Sequence, residues 1–290
     1  MPNDYFQFQQ FRIEQHQCAM KVSTDACLLG AATDLRGATH LLDVGTGTGL
    51  LALMAAQRHA ATAIEAIEID EAAAAQATAN VQASPWVGRI RVHSLSLAEY
   101  AATQPAPFSH IICNPPFFRQ SMPSADWARN NARHVSVASL SFEELARFAA
   151  DFLLPDGTLT VLLPPPEMAH FEQAALAAGL PVVGRLAVRH RPGGRVTRHI
   201  SRFQRNATPL EERELLIHSD TGTNYSDEFR QLLAGFYLAF LGFKAYLKRH
   251  QEERHAERSR SISRAVTKPL VSYADLRFNG ASEMLRLRSA

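Results

Sequence analysis

Residues 41–53 read LLDVGTGTGLLAL, and the change of pattern inside this stretch indicates the fold. A short apolar run carries Asp43 and leads into three alternating glycines, Gly45, Gly47 and Gly49, after which a second apolar run begins. Glycines at such a junction let the backbone turn tightly and let a ligand approach closely. The stretch therefore predicts a strand, a ligand-binding loop and a helix.

The same alternation of strands and helices continues to about residue 165, as in parallel α/β folds. Strands are predicted over 40–45, 63–70, 90–95, 108–114 and 157–164, the last opened by a turn at Pro-Asp-Gly. Helices are predicted over 50–59, 71–82, 141–153 and 168–180. Residues 182–218 predict an antiparallel pair and a closing strand, and residues 226–250 one last helix with Ser226 as its N-cap. The sequence thus predicts a mostly parallel sheet with helices on both faces.

The composition and the cysteine spacing indicate a globular protein of a reducing compartment. With 46% hydrophobic and 20% charged residues, the chain of 290 residues is typical of a globular domain. The three cysteines have no paired spacing and no metal-binding pattern is present, which indicates a reducing compartment and no metal site. The start lacks a signal peptide, and the most apolar run (232–243) is too short to span a bilayer. We expect a soluble, cytoplasmic protein that is a monomer.

Charge is distributed unevenly along the chain. Residues 241–290 hold 11 Lys and Arg against 5 Asp and Glu, whereas the rest holds 19 against 23. The basic end has no sustained period and predicts a disordered tail. In the mildly acidic body, nucleic-acid binding needs a local patch. One acid-free segment contains seven arginines: Arg185, Arg189, Arg191, Arg195, Arg198, Arg202 and Arg205.

The centre of that segment, HRPGGR (190–195), predicts a hairpin tip. Arginines around such a tip suit contacts with phosphates, which weaken steeply with salt. The alternative interpretation is a solvated strand face without a partner. We predict RNA contacts from Arg189, Arg191, Arg195 and Arg198.

The stretch IICNPPFF (111–118) places an amide and two prolines at a predicted strand end. An exocyclic amine on a nucleobase is a poor nucleophile because its lone pair is delocalised into the ring. The amide oxygen of Asn114 and the carbonyl of Pro115 can accept its two protons, and the prolines, with Pro116, hold them stiffly. Phe117 offers a face for stacking the base. The alternative is a proline-terminated strand that packs two phenylalanines into the core.

Two motifs resemble those of a known family. The G-x-G-x-G spacing, with an aspartate two residues ahead, resembles the first motif of class I S-adenosylmethionine-dependent methyltransferases; the third glycine of the dinucleotide fingerprint would fall at Leu50. The NPPF sequence resembles the fourth motif of amino methyltransferases. The resemblance implies a class I methyltransferase Rossmann-like sheet with S-adenosylmethionine as cofactor. The cofactor-binding residues implied are Asp43, Gly45, Gly47, Gly49, Glu68, Asn114 and Thr24, with Asp70 a weaker candidate.

In this implied site, Glu68 accepts hydrogen bonds from the two ribose hydroxyls, because a carboxylate offers two acceptor oxygens and no donor. One position departs from the family. Ser96 stands where an acid that contacts the cofactor's adenine is expected, so a hydrogen bond is retained and a carboxylate contact is lost.

A longer, collinear resemblance covers about residues 5–240. FQFQQFRIEQHQCAMKVSTDACLLGA (6–31), ASPWVGRIRVHS (83–94), CNPPFF (113–118) and TNYSDEFRQLLAGFYLAF (223–240) resemble the bacterial tRNA adenine-N6 methyltransferases that modify position 37 of a valine tRNA. The resemblance implies that residues 1–39 help close the pocket for cofactor and base and that 40–240 form the methyltransferase domain. Residues 241–290, the predicted tail, lie outside it. Lys21, Thr24 and Asp25 are the implied pocket residues, with Lys21 facing the RNA.

Two other functions stay open at this point. A glutamine N5-methyltransferase of peptide-release factors shares an NPPY-type motif, but it carries a helical substrate domain before the glycine loop, where only about 40 residues stand here. A non-catalytic RNA-binding protein on a methyltransferase scaffold would have no need of Asn114 and Glu68. A DNA adenine methyltransferase would need a target-recognition region for which the chain has no room.

Overall fold

A central sheet of eight strands and a small separate hairpin carry the fold. The computed structural model describes residues 4–115, 140–219 and 224–242. The strands are β1 (Tyr5–Gln7), β2 (Arg12–Glu14), β3 (His40–Val44), β4 (Ala63–Glu68), β5 (Ile90–Ser94), β6 (Phe108–Cys113), β7 (Leu153–Leu163), β8 (Val182–Arg189), β9 (Val196–Phe203) and β10 (Glu211–Leu216). The predicted strands of the sheet all form.

The order of strands across the sheet is β10-β8-β9-β7-β6-β3-β4-β5. All neighbours are parallel except at β9, which runs antiparallel to both β7 and β8. The prediction of a mostly parallel sheet with an antiparallel strand towards the C-terminus is confirmed. The last strand, β10, lies at the edge and is parallel to β8. The chain reverses its direction of winding beside β3, and ligands bind at such switch points.

Helices cover both faces of the sheet, as predicted. They are α1 (Thr24–Ala32), α2 (Leu50–Arg58), α3 (Glu71–Gln82), α4 (Leu97–Ala102), α5 (Phe142–Phe152), α6 (Pro165–Ala177) and α7 (Asp227–Leu233). Side chains alternate along β3, so Leu41 faces one buried cluster and Leu42 the other. Among the described residues, no helix is long and apolar enough to cross a membrane.

The helix ends follow local signals. Ser141 caps α5 in a capping box with Glu144, and Ser226 caps α7, both as predicted. Helix α6 begins at Pro165, three residues before its predicted start, because proline suits a first helical turn.

Two predicted boundaries are wrong. Pro155–Gly157 is predicted as a turn before the fifth strand but lies within β7. Between the Phe108–Leu153 and His110–Thr158 pairs, β7 has three more residues than β6, which forms a bulge. The last helix ends at Leu233 instead of running to residue 250. The chain turns there, where the carbonyl oxygens of Ala234 and Phe236 accept from Gln9 of the N-terminal hairpin at 3.0 and 2.9 Å and not from residues further along a helix.

The N-terminal hairpin shares this core. Phe8, Phe11 and Ile13 are buried in the same cluster as α1 and α2. Gln9 Nε2 donates to the carbonyl oxygen of Ala234 at 3.0 Å. The hairpin is therefore anchored on the segment that follows α7, more than 220 residues away in sequence. Residues 243–290, most of the predicted tail, lie outside the described residues.

Candidate active site

The carboxyl ends of three central strands bring the predicted site residues into one row. Strand β3 keeps in register with β4 and with β6 as far as Val44. The residues one position further along, Gly45, Glu68 and Asn114, consequently lie side by side at this edge, with neighbouring strands about 4.8 Å apart. Residues predicted from separate motifs are thereby adjacent.

The glycine loop forms an open backbone cradle in front of this row. Gly45, Gly47 and Gly49 have φ of 69°, 56° and 83°, which is the left-handed region that favours glycine. A Cβ added at Gly45 or Gly47 would meet nothing within 4 Å, so the loop leaves space on that side. The amide of Gly45 donates to the carbonyl oxygen of Ile67 at 3.0 Å, which ties the loop to β4. The arrangement fits close approach of a ligand to the backbone.

Glu68 is held beneath the loop by the backbone. Its Oε2 accepts from the amide of Gly47 at 2.9 Å, and its Oε1 accepts from the amide of Asp70 at 3.0 Å. Each oxygen keeps lone-pair capacity for a further donor, which fits a pair of ribose hydroxyls. Asp70 itself caps α3, since its Oδ1 accepts from the amide of Ala73 at 2.8 Å. The structure thus gives the two acids different positions, with Glu68 against the loop.

The side-chain amide oxygen of Asn114 has no hydrogen-bond donor among the described residues. This oxygen, Oδ1, is buried. A buried acceptor without a donor costs about 1–3 kcal/mol, so it marks a place where a ligand can donate. Pro115 follows and is buried. Pro116 and Phe117, predicted to stiffen the corner and stack the base, lie outside the described residues.

This combination of loop, ribose acceptor and open amide oxygen fits a methyltransferase that holds S-adenosylmethionine. The family model described as methyltransferase small domain matches residues 19–164. The chain belongs to this family. The predictions of a methyltransferase and of S-adenosylmethionine as its cofactor are thereby confirmed.

Curated relatives agree with this membership, and a solved structure shares the fold. A protein of Dyadobacter fermentans named tRNA1(Val) (adenine(37)-N6)-methyltransferase is 39% identical over 82% of this chain and 99% of its own length. One of the same name from Bacteroides thetaiotaomicron is 41% identical, again over 82% and 99%. A solved structure described as a predicted O-methyltransferase from Agrobacterium tumefaciens has a TM-score of 0.56 at 21% identity, over 73% of this chain and 96% of its own. The last comparison confirms the fold.

Asp43 supports the glycine loop of this methyltransferase from below. It is fully buried, and its Oδ2 accepts from the Thr46 hydroxyl at 2.5 Å and from the Ala52 amide at 3.1 Å. Burial raises the pKa of the Asp43 carboxyl to about 7, and the charge of Glu68 adds to the rise, although the two hydrogen bonds oppose it. Asp43 therefore changes its charge near neutral pH.

We expect this carboxyl to make stability depend on pH. Because its pKa rises from 3.8 to about 7, the folded state holds a proton that the unfolded state releases. Stability then falls as the pH rises between these values, by at most about 1.4 kcal/mol per unit. Asp43→Asn keeps an acceptor for Thr46 and Ala52 but cannot ionise. In urea denaturation at pH 5, 6 and 7, the wild type should lose stability relative to this variant as the pH rises; a constant difference would contradict the assignment.

Asn80 is a buried structural residue next to the site that the sequence patterns missed. Its Oδ1 accepts from the Glu14 amide at 2.9 Å, while its Nδ2 donates to the carbonyl oxygens of Glu14 at 2.8 Å and Thr48 at 2.9 Å. One buried amide therefore joins the N-terminal hairpin to the glycine loop. Nothing in the alanine-rich stretch EAAAAQATANVQ distinguishes Asn80 from its other polar residues, such as Gln76 and Gln82.

Cys18, in the segment after the hairpin, is near enough to Glu68 and Asp70 for their charges to act on its thiol. Cys18 is buried, and burial followed by the charges of Glu68 and Asp70 raises the pKa of its thiol to about 11. This proximity supports the prediction that residues 1–39 help close the pocket, which stays a prediction.

Ser96 is committed to a helix end. It caps α4, where its hydroxyl accepts from the Glu99 amide at 3.2 Å and donates to Glu99 Oε2 at 2.7 Å. The Glu99 carboxylate also accepts from the Ser96 amide, which completes a capping box. The predicted contact between Ser96 and the adenine of the cofactor stays a prediction.

Residues 185–205 contain no acidic residue, but the fold brings carboxylates from other elements close to their arginines. Strand β10 and helices α1 and α6 bring carboxylates to four of its seven members. The pairs are Arg185 with Glu212 (2.6 Å) and Glu172 (2.7 Å), Arg189 with Glu214 (2.7 Å), Arg198 with Asp25 (2.8 Å) and Arg202 with Glu211 (2.8 Å). Arg205 donates instead to the carbonyl oxygen of Leu153 at 3.1 Å. The interpretation of the whole segment as one basic patch is therefore too broad.

Thr24, one of the residues predicted to close the pocket from the N-terminal segment, lies beside the β8–β9 hairpin. Thr24, predicted for the cofactor, lines a cleft of about 550 Å³ together with Arg191, Arg195 and Arg198. Lys21 Nζ lies 3.9 Å from Asp4 Oδ1. Within the ranges that the structure describes, no group of three or more His, Cys, Asp or Glu side chains could hold a metal ion.

Proposed function

We propose that this methyltransferase transfers a methyl group from S-adenosylmethionine to N6 of an adenine in tRNA, at position 37 of a valine tRNA. The observation that carries the proposal is the buried Oδ1 of Asn114 beside the glycine loop, to which no described residue donates a hydrogen bond. The names of the curated relatives, about 40% identical over most of the chain, support the substrate. The same names give no support to a glutamine methyltransferase or to a non-catalytic RNA-binding protein.

In the proposed mechanism, the residues of this chain position an amine and do not deprotonate it. When bound, S-adenosylmethionine supplies an electrophilic methyl group. The glycine cradle and Glu68 hold the cofactor through the backbone and the ribose hydroxyls. Asn114 Oδ1 and the carbonyl oxygen of Pro115 accept the two N6 protons, draw the nitrogen towards tetrahedral geometry and aim its lone pair. Pro116 keeps this corner stiff, and Phe117 stacks on the base.

This mechanism needs no general base. Asn114 is an acceptor at any physiological pH and requires no tuned pKa. The proton that N6 loses on methylation passes to water. A base in the anticodon loop is already single-stranded, so turning it into the pocket costs less than flipping it out of a duplex.

Contacts with the RNA would involve basic residues outside the catalytic row, which is the row of Gly45, Glu68 and Asn114 at the strand ends. We propose that Lys21, Arg189, Arg191, Arg195 and Arg198 form the surface that faces the tRNA, through phosphate contacts that position and do not read sequence. The enzyme acts as a monomer in the cytoplasm in this proposal.

Methyl transfer from labelled S-adenosylmethionine to unmodified tRNA tests the proposal directly. The tRNA is taken from a strain that lacks this protein, and the product nucleosides are analysed. We expect N6-methyladenosine, confined to valine tRNA. Label found only in added peptide-release factor would assign the glutamine reaction instead. Binding of tRNA without transfer to either substrate would favour the non-catalytic RNA-binding protein.

A further inference from the structure

The β8–β9 hairpin projects from the edge of the sheet that carries Asn114. Strand β9 runs antiparallel to β7 and pairs His199 with Leu163, the last residue of β7. Residues 190–198 therefore extend beyond the carboxyl end of β7, on the same side as the catalytic row. Strand β9 is two strands away from β6, so the base of the hairpin lies about 10 Å across the sheet from the strand that ends before Asn114.

Within the arginine segment 185–205, the cations that have no acidic partner among the described residues and no bond to a backbone carbonyl lie at the turn of this hairpin. Among the seven arginines of the segment, those on the strands are paired with carboxylates and Arg205 with backbone carbonyls. Arg191 and Arg195 are exposed, and within the described residues neither guanidinium has a hydrogen bond or an ion pair. Their charge is therefore available to a ligand, whereas the charge of Arg189 and Arg198 is largely offset.

Arg191 and Arg195 line a concave surface and do not simply project into solvent. They contribute to the cleft of about 550 Å³, whose other wall is Ser23, Thr24 and Asp25 at the start of α1. The only carboxylate in the cleft, Asp25, accepts from Arg198 Nε at 2.8 Å. The lining carries three arginines against one aspartate, which gives these four side chains a net charge of +2. Such a polar, positive cleft suits a small anion better than a base.

We propose that this cleft binds a backbone phosphate of the RNA substrate, close to the nucleotide whose base enters the Asn114 site. Arg191 and Arg195 supply guanidinium groups that match the geometry of phosphate oxygens, and Thr24 supplies a hydroxyl from the opposite wall. The paired arginines, Arg189 and Arg198, hold the hairpin and the start of α1 in position. The inference rests on the proposed function, because it takes tRNA as the ligand.

The double substitution Arg191→Gln and Arg195→Gln tests the cleft. Binding of unmodified tRNA is measured by fluorescence anisotropy over a series of salt concentrations, and binding of S-adenosylmethionine by calorimetry. We expect the tRNA Kd to rise roughly 10-fold or more, and the slope of log K against log salt to shrink by about 0.7–0.9, as for one phosphate that is no longer neutralised. Affinity for S-adenosylmethionine should not change.

The control is Arg91→Gln with Arg213→Gln, which removes the same charge from two exposed residues that do not line the cleft. It should change the tRNA Kd less than twofold. An equal loss in the control would show a general charge effect and overturn the inference. A wild type that binds and methylates tRNA, beside a double variant with unchanged Kd and slope, would overturn the inference and leave the proposed function standing. A wild type that neither binds nor methylates tRNA would overturn both.

Discussion

Asn114→Ala is expected to lower the rate of methyl transfer by roughly 10³-fold, the scale for removing one preorganised hydrogen-bonding group from a reacting centre. The substitution removes the acceptor that the structure leaves open at the end of β6. Because no described residue donates to this oxygen, the variant loses no hydrogen bond within that part of the fold. The free energy of unfolding should therefore stay unchanged or rise, as expected where an active site sacrifices stability for function. Single-turnover transfer and urea denaturation measure the two quantities.

Asn114→Asp is the matched control for this experiment. The side chain has the same size and keeps acceptor oxygens, so we expect it to retain more activity than the alanine variant. A proportional loss of activity and stability in Asn114→Ala would indicate a structural role only. Full activity in Asn114→Ala would exclude the proposed mechanism.

Glu68→Gln is expected to weaken binding of S-adenosylmethionine about 100-fold, or roughly 2.7 kcal/mol. Both carboxylate oxygens accept backbone amides, from Gly47 and from Asp70. An amide side chain would place an NH₂ group against one of these donors, which disturbs the glycine loop and removes an acceptor for a ribose hydroxyl. Calorimetric titration measures the affinity.

The control for Glu68 is Glu71→Gln, an equal change of charge at the exposed first residue of α3. We expect it to bind the cofactor within twofold of the wild type. If Glu68→Gln also bound within twofold, the assignment of Glu68 as ribose acceptor would be wrong.

Local signals predicted most of the fold. The glycine spacing at 45–49 requires left-handed backbone, and Ser141 with Glu144 and Ser226 cap helices through residues only three positions away. Such features depend on neighbours in sequence, so sequence patterns report them well. The α/β alternation from 40 to 165 is of the same kind, because each strand and helix has its own period.

The errors arose where distant segments meet. The predicted helix from 226 ends at Leu233, and the carbonyl oxygens that follow accept hydrogen bonds from Gln9 of the N-terminal hairpin in place of helical ones. No pattern inside 226–250 contains that information. The bulge at Pro155–Gly157 likewise depends on the register between β7 and β6.

For the site, the sequence by itself determined the chemical groups: a glycine cradle, a carboxylate at 68 and an amide at 114 before a proline. Only the tertiary structure decided how they are used. The register of three parallel strands places them in one row, and Asn80 ties the N-terminal hairpin to the loop. Within the arginine segment, pairing with acids of β10, α1 and α6 leaves Arg191 and Arg195 at the hairpin turn without an acidic partner among the described residues. These contacts join residues far apart in the chain, and their geometry exists only once the core has packed.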